Sequence, residues 1–183
     1  EHRWDIHVFF FTPLRYDTYV ALRKAIEETF ASFVNVNFFV STACYLKKDN
    51  KILFIKFNKK WGQVYAPIGG KMEAGETPTE CLLREFKEET GLELKDPKLK
   101  GISFWKDSTE GIIFIYTAEK VDGKLQESEE GRLEWIDISE LDNIKQFDMN
   151  SKFTKYIFED GMFEGKFILD ENAKVIDYKI RKI

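Results

Sequence analysis

Cysteine and histidine are scarce in this chain, two of each among 183 residues. Cys44 and Cys81 are too few for a disulfide framework or a cysteine-rich zinc site. Both sit inside apolar patterns, where buried, reduced thiols are expected. His2 and His7 lie far in sequence from every acidic cluster, which argues against histidine-based catalysis and leaves the work to carboxylates. Proline is sparse too, with four residues, and no low-complexity tract or internal repeat marks a linker. No apolar run approaches the roughly 20 residues needed to span a bilayer. A basic stripe is also missing: 28 Lys and Arg face 32 Asp and Glu, a formal charge of −4. That balance argues against a protein that coats nucleic acid. The expectation is a cytoplasmic protein with neither a membrane nor a nucleic-acid polymer as partner.

Apolar residues are plentiful, at 43% of the chain, enough for one ordinary core. Near the N-terminus, "WDIHVFFFT" (Trp4–Thr12) reads as a strand that Pro13 ends. Apolar spacing predicts a helix over 15–33. "FFVSTACYL" and "KILFIKF" read as strands joined by the turn "KKDN". "KKWGQVYAPIGGK" reads as loop with a short strand at most. A helix follows over 77–90. Thr77 is its N-cap, Pro78 fits the first helical position, Glu80 completes a capping box and Gly91 stops it. Further strands are expected at about 99–106, "GIIFIYTAEK" and "RLEWIDI", with an acidic loop "VDGKLQESEEG" before the last. A helix near 151–159 and a closing hairpin turning at Glu171–Ala173 complete the chain. The mixture is α/β or α+β, with few helices and a mostly non-crossover sheet.

The 77–90 helix poses a physical problem. Glu85, Glu88 and Glu89 lie at i, i+3 and i+4, where like charges repel and cost helix stability. Leu83, Phe86 and Thr90 are expected on the opposite face, packed on a sheet. A solvated acidic face is the plain explanation, but it leaves Gly69–Gly70 upstream and Arg84 beside the carboxylates without a reason. Clustered carboxylates suit hard divalent cations such as Mg²⁺ or Mn²⁺. Such an ion can offset phosphate charge and activate a water.

The same residues carry a resemblance. Gly70, five residues, Glu76, seven residues, then Arg84-Glu85-Phe86-Lys87-Glu88-Glu89-Thr90-Gly91-Leu92 matches the Nudix box at every defining position. The resemblance implies an α/β/α sandwich with a mixed sheet that hydrolyses nucleoside diphosphates linked to another moiety. It implies Mg²⁺ held by Glu85, Glu88, Glu89 and the Gly70 carbonyl, with Arg84 holding the carboxylates and Glu76 bracing the loop. Lys71 is implied as a substrate contact. A sensor domain that binds nucleotide without cutting it would show a damaged box, and all the box carboxylates are intact here.

Outside the box the chain resembles MutT-type enzymes and the mammalian oxidised-purine nucleoside triphosphatases, loosely, from about Phe38 to the end. The basis is the Glu-rich loop before "RLEWIDI" and the tail "FEGKFILDENAKVIDYKIRKI". This implies a loop Glu at the metal centre. Glu130 fits best, with Glu127, Glu129 and the box glutamates as competitors for general base. It also implies base recognition from "QFDMN": Phe147 stacking, with Asp148 or Asn150 hydrogen-bonding a base edge. On the other reading, Phe147 is core and Asp148 or Asn150 caps a helix. The implied reaction takes a nucleoside triphosphate to monophosphate and pyrophosphate, with 8-oxo-(d)GTP a candidate substrate. The alternative is a pyrophosphatase of ADP-ribose or another nucleoside diphosphate derivative. Many of those relatives carry a Pro some fifteen residues after the box, and "WKDSTEG" has none. Residues 1–36 fall outside the resemblance as an N-terminal extension, and 37–183 form the expected Nudix domain, a monomer or homodimer.

Overall fold

The computed structural model describes residues 38–57 and 62–183, which lie in one unit, Phe38–Ile183. The strand and helix expected before residue 37 lie outside the described residues. The chain runs β1 (Phe38–Lys48), β2 (Lys51–Phe57), β3 (Tyr65–Pro67), α1 (Pro78–Thr90), β4 (Leu92–Lys95), β5 (Lys98–Lys106), β6 (Glu110–Ala118) and β7 (Lys120–Gly123). It continues through β8 (Gly131–Asp137), a 3-10 turn (Ile138–Glu140), α2 (Asp148–Ile157), β9 (Phe163–Leu169) and β10 (Val175–Lys182).

One mixed sheet is ordered β10-β9-β5-β6-β1-β2-β3, with β8 paired to β2. The β1–β6 and β5–β9 pairs are parallel and the others antiparallel. The central strands are buried on both faces, as near-continuous apolar runs require. Because successive strand residues face opposite ways, Cys44 and Leu46 of β1, and Leu53 and Ile55 of β2, meet Leu82 and Phe86 of α1. Tyr45, Ile52 and Phe54 point to the other side and meet Phe153 and Ile157 of α2. The result is an α/β/α sandwich. Both cysteines are buried and free. Among the described residues, no helix is long and apolar enough to cross a membrane.

One departure from regularity positions the site. β1 and β2 pair only beside their turn, at Lys47–Ile52 and Lys48–Lys51. Beyond that the two strands part, and the chain after β3 fills the gap. Cys44 N–H donates to Ile68 O at 2.7 Å, Thr42 N–H to Gly70 O at 2.9 Å, and Met72 N–H to Val40 O at 2.9 Å. The Gly69–Gly70 segment is thereby laid along a central strand, beside α1.

Three expectations need correction. Leu83 is exposed, and the apolar face of α1 is Cys81, Leu82, Phe86 and Thr90. Leu82, Phe86 and Thr90 follow each other at i+4, and Leu83 stands one residue, or about 100°, round the helix from that line. Next, α2 begins three residues before the expected 151. Lastly, β4 and β7 form a two-stranded ribbon, with Leu92 opposite Gly123 and Lys95 opposite Lys120, so that the expected acidic loop begins as strand; no element was assigned over 92–95.

Candidate active site

The N-terminus of α1 forms as its sequence dictates. Thr77 Oγ1 accepts the Glu80 N–H, and Glu80 Oε2 accepts the Thr77 N–H at 2.8 Å, a complete capping box. Gly91 closes the other end at φ 73°, and its N–H donates to Lys87 O. A helix capped at both ends presents Arg84, Glu85, Glu88 and Glu89 at fixed angles beside Gly69–Lys71.

Arg84 is the hub. Its Nε and Nη2 grip Glu76 at 2.6 and 3.0 Å, a two-point contact that suits a planar guanidinium. Nη2 also donates to Lys71 O at 3.1 Å. Nη1 reaches Glu85 Oε1 at 2.9 Å and Glu88 Oε2 at 3.2 Å. Glu76 in turn accepts the Glu73 N–H at 2.8 Å, which ties the loop to the helix. The Arg84 hydrogen bonds hold the Glu76 carboxyl down at about 2, and their partner carboxylates raise the Arg84 guanidinium further. Glu76 and Arg84 are therefore a permanent ion pair and serve as scaffold.

The glycines are there for space. A Cβ on Gly70 would lie 2.3 Å from Glu85 Oε2, and one on Gly69 would lie 2.3 Å from Thr42 O. The Gly70 carbonyl accepts from Thr42 N–H and, at 3.8 Å, from the Cys81 thiol. It is thus engaged in the sheet. Lys71 is exposed, with its Nζ 4.3 Å from the Phe39 ring centre.

Glu89 differs from its neighbours. Its Oε2 is buried without a hydrogen-bond partner. Burial first, then the charges of Glu130 and Glu85, push its carboxyl up to about 8, against a hydrogen bond from the Gly69 backbone. The acidic loop reaches the end of α1, where the Gln126 N–H donates to Thr90 O at 2.8 Å. Glu130, Glu127 and Glu129 are all exposed, and the Glu130 N–H donates to Ser128 Oγ at 3.2 Å. Glu127 lines a cavity of about 460 Å³ with Leu125, Gln126, Gly131, Arg132 and Leu133. A larger cavity of about 560 Å³ lies among Lys47, Lys95, Lys98, Lys120 and Ile157 and includes none of the expected site residues.

The donors suit a hard divalent ion: all are carboxylate oxygens, and one is buried with nothing to bind. Among the described residues, no three acidic, His or Cys side chains converge closely enough to hold an ion as they stand. Glu85 and Glu88 are turned to Arg84 instead.

The expected base-reading residues are more dispersed. Phe147 precedes α2 as its N-cap and packs edge-on to Phe57, centroids 6.3 Å apart. It is half-buried at the margin of the α1-side core. Asp148 Oδ2 accepts the Val175 N–H at 2.9 Å, and its Oδ1 lies 3.6 Å from Lys152 Nζ. Asn150 is buried on α2. A contact that sequence reasoning missed lies on the α2 side of the sheet. Tyr65 Oη donates to Glu134 Oε2 at 2.8 Å, and Arg132 grips Oε1 of the same carboxylate at 2.8 and 2.6 Å, pinning β8 to β3. Alternation within β8 could have placed these residues on one face, but not opposite Tyr65.

Comparison with known proteins agrees with this geometry. The family model described as the NUDIX domain matches residues 37–160. The uncharacterized Nudix hydrolase YvcI of Bacillus subtilis is 31% identical over 147 residues, covering 76% of this chain and 92% of that one. An ADP-ribose pyrophosphatase of Methanocaldococcus jannaschii is 35% identical over 101 residues, 52% of this chain and 60% of its own. The oxidized purine nucleoside triphosphate hydrolase of Mus musculus is 29% identical over 119 residues, 63% of this chain and 76% of its own. Among solved structures, a MutT protein from Bacillus halodurans superposes with a TM-score of 0.73 at 27% identity, over 78% of this chain and 97% of that one. Nudix hydrolases generally need a divalent metal and act on nucleotide substrates. With the box intact on its helix and the fold of MutT beneath it, this chain belongs to the Nudix hydrolase family, the pyrophosphohydrolases that act on acid anhydrides.

Proposed function

We propose that this chain hydrolyses nucleoside triphosphates to the monophosphate and pyrophosphate, with oxidised purine nucleotides preferred. The observation that carries the reading is the unpartnered Glu89 oxygen, buried beside Glu85 and Glu130 on a helix braced by Arg84. Glu85, Glu88 and Glu89 would hold Mg²⁺, and Mn²⁺ suits the same oxygens. The Gly70 carbonyl, which accepts the Thr42 N–H, has a second lone pair that can complete this ligand set. When bound, such an ion offsets the charge gathering on phosphate oxygens and lowers the pKa of water. Arg84 keeps the carboxylates from splaying, and Glu76 keeps Arg84 in place. Lys71 lies beside the glycine segment, where its ammonium can meet the phosphate chain. Glu130 is the general base: one of its carboxylate oxygens takes the proton of the attacking water as the O–P bond forms and pyrophosphate leaves.

On the base side, Phe147 supplies an aromatic face, and a purine offers it more area than a pyrimidine. An 8-oxo group fixes an N7–H donor where guanine has an acceptor, and a carboxylate facing that edge favours the oxidised base. Asp148 and Asn150 are the groups at hand, with Asp148 already holding the start of β10. The murine relative's name points the same way.

The second reading, cleavage of ADP-ribose, is favoured by the archaeal relative. A competition assay decides between them. Oxidised purine triphosphates should have the highest kcat/KM, then GTP and dGTP, then pyrimidine triphosphates. ADP-ribose at the head of the ranking would overturn the proposal and establish the second reading.

A further inference from the structure

The last strand, β10, has β9 on one side and, among the described residues, no strand on the other. It is unusually exposed for a strand with apolar residues: Ile176 is 66% and Tyr178 50% accessible. Unpaired strand edges invite another strand, and proteins ordinarily blunt them. Tyr178 nonetheless has a packing partner in β9. Its ring stacks on Phe167 with centroids 5.7 Å apart and planes 5° apart.

The charges along this strand divide into two sets. Arg181 is paired with Glu164 and Lys182 with Glu159. Asp177 and Lys179 have no ion-pair partner among the described residues. Lys179 stands directly opposite Lys166 of β9. Like charges directly across a ladder are destabilising, so Lys179 is short of a negative neighbour on its open side.

We propose that β10 pairs antiparallel with β10 of a second copy of this chain, joining two sheets about a two-fold axis through Tyr178. An axis perpendicular to the sheet keeps each side chain on its own face, so each register is centred on one residue meeting itself. Centring on Asp177, Lys179 or Arg181 sets identical charges face to face. Centring on Ile180 sets Lys179 against Arg181. A bulge between Val175 and Asp177 leaves Asp177–Lys182 as the regular part of the strand, and of the registers centred there only the Tyr178 register is free of such clashes. It places Asp177 opposite the other copy's Lys179 twice and Tyr178 opposite itself. It also brings a carboxylate to each Lys179, relieving the repulsion from Lys166.

The experiment is sedimentation equilibrium of the full chain over a concentration series. The samples are wild type, Asp177→Lys, Lys179→Asp and an equimolar mixture of the two variants, with circular dichroism confirming their fold. The wild type should dimerise. Each variant alone should raise the dimer Kd about tenfold or more, because both central pairs become like-charged. The mixture should recover dimer, since each variant then supplies what the other lacks. In parallel, oxidised Tyr178→Cys should cross-link into a covalent dimer, which keeps the test open if a charge variant misfolds. A wild type that stays monomeric throughout, single variants that dimerise like wild type, a mixture no better than its components, or failure of Tyr178→Cys to cross-link would each overturn the proposal.

Discussion

At the level of single residues, the site turns on how one carboxyl group is charged. Glu89 is pushed up to about 8 in the folded protein, whereas an unfolded glutamate titrates near about 4.3. Its contribution to stability is fully present below the unfolded value and is lost as pH rises through the folded one. In metal-free protein, Glu89→Gln removes that loss. Its melting temperature should therefore gain on wild type as pH is raised from about 5 to about 9. Thermal melts with a chelator present check this, and an advantage that shrinks with pH would contradict the burial argument. The loop carboxylates separate by rate. Glu130→Gln should lower kcat on the order of 10²-fold, the scale of a lost general base, with Glu127→Gln doing much less. Steady-state kinetics in which the two exchange ranks would show that the loop register around Glu130 is wrong. Two silent variants would return the role to a box glutamate.

At the level of elements, the two helices show what a sequence reveals and what it hides. α1 was legible to within a residue because its signals are local: Thr77, Pro78, Glu80 and Gly91 all act within a turn of the helix ends. α2 starts earlier than its apolar spacing suggests because its start is set from a distance. Phe147 makes no side-chain cap bond, and Asp148 instead accepts the Val175 N–H from across the fold. No local pattern in "QFDMN" announces that partner. β4 and β7 were hidden for a similar reason, being four residues each and paired across the whole β5–β6 hairpin. The Asp148 contact gives a prediction. Asp148→Ala leaves the part-buried Val175 N–H without its acceptor and should cost about 1–3 kcal/mol. Asp148→Asn keeps an acceptor oxygen and should recover most of that. Urea unfolding of the two variants checks it, and an Asp148→Ala protein as stable as wild type would show the contact to be idle.

At the level of the whole molecule, function was legible because the box occupies one stretch, 70–92, so its chemistry is written in consecutive residues. What the sequence could not show is how the fold uses that stretch. The parting of β1 from β2 admits Gly69–Gly70 against Thr42, and the loop before β8 meets the end of α1 through the Gln126 N–H and Thr90 O. Both are long-range arrangements with no periodic signature. The turning of Glu85 and Glu88 toward Arg84 was equally invisible, since it depends on side-chain rotation.

The central claim is that the carboxylate face of α1 is a metal-dependent pyrophosphohydrolase centre. The direct measurement is pyrophosphate release from a nucleoside triphosphate panel with Mg²⁺, for wild type, Glu85→Gln and Glu89→Gln, each confirmed as folded. Wild type should yield monophosphate and pyrophosphate in equal amounts and stop on chelation. Both variants should be inactive; Glu89→Gln should also melt at or above the wild-type temperature, because it loses a like-charge repulsion and no ion pair, whereas Glu85→Gln gives up its contact with Arg84. Full turnover by Glu89→Gln with Mg²⁺ would contradict the account.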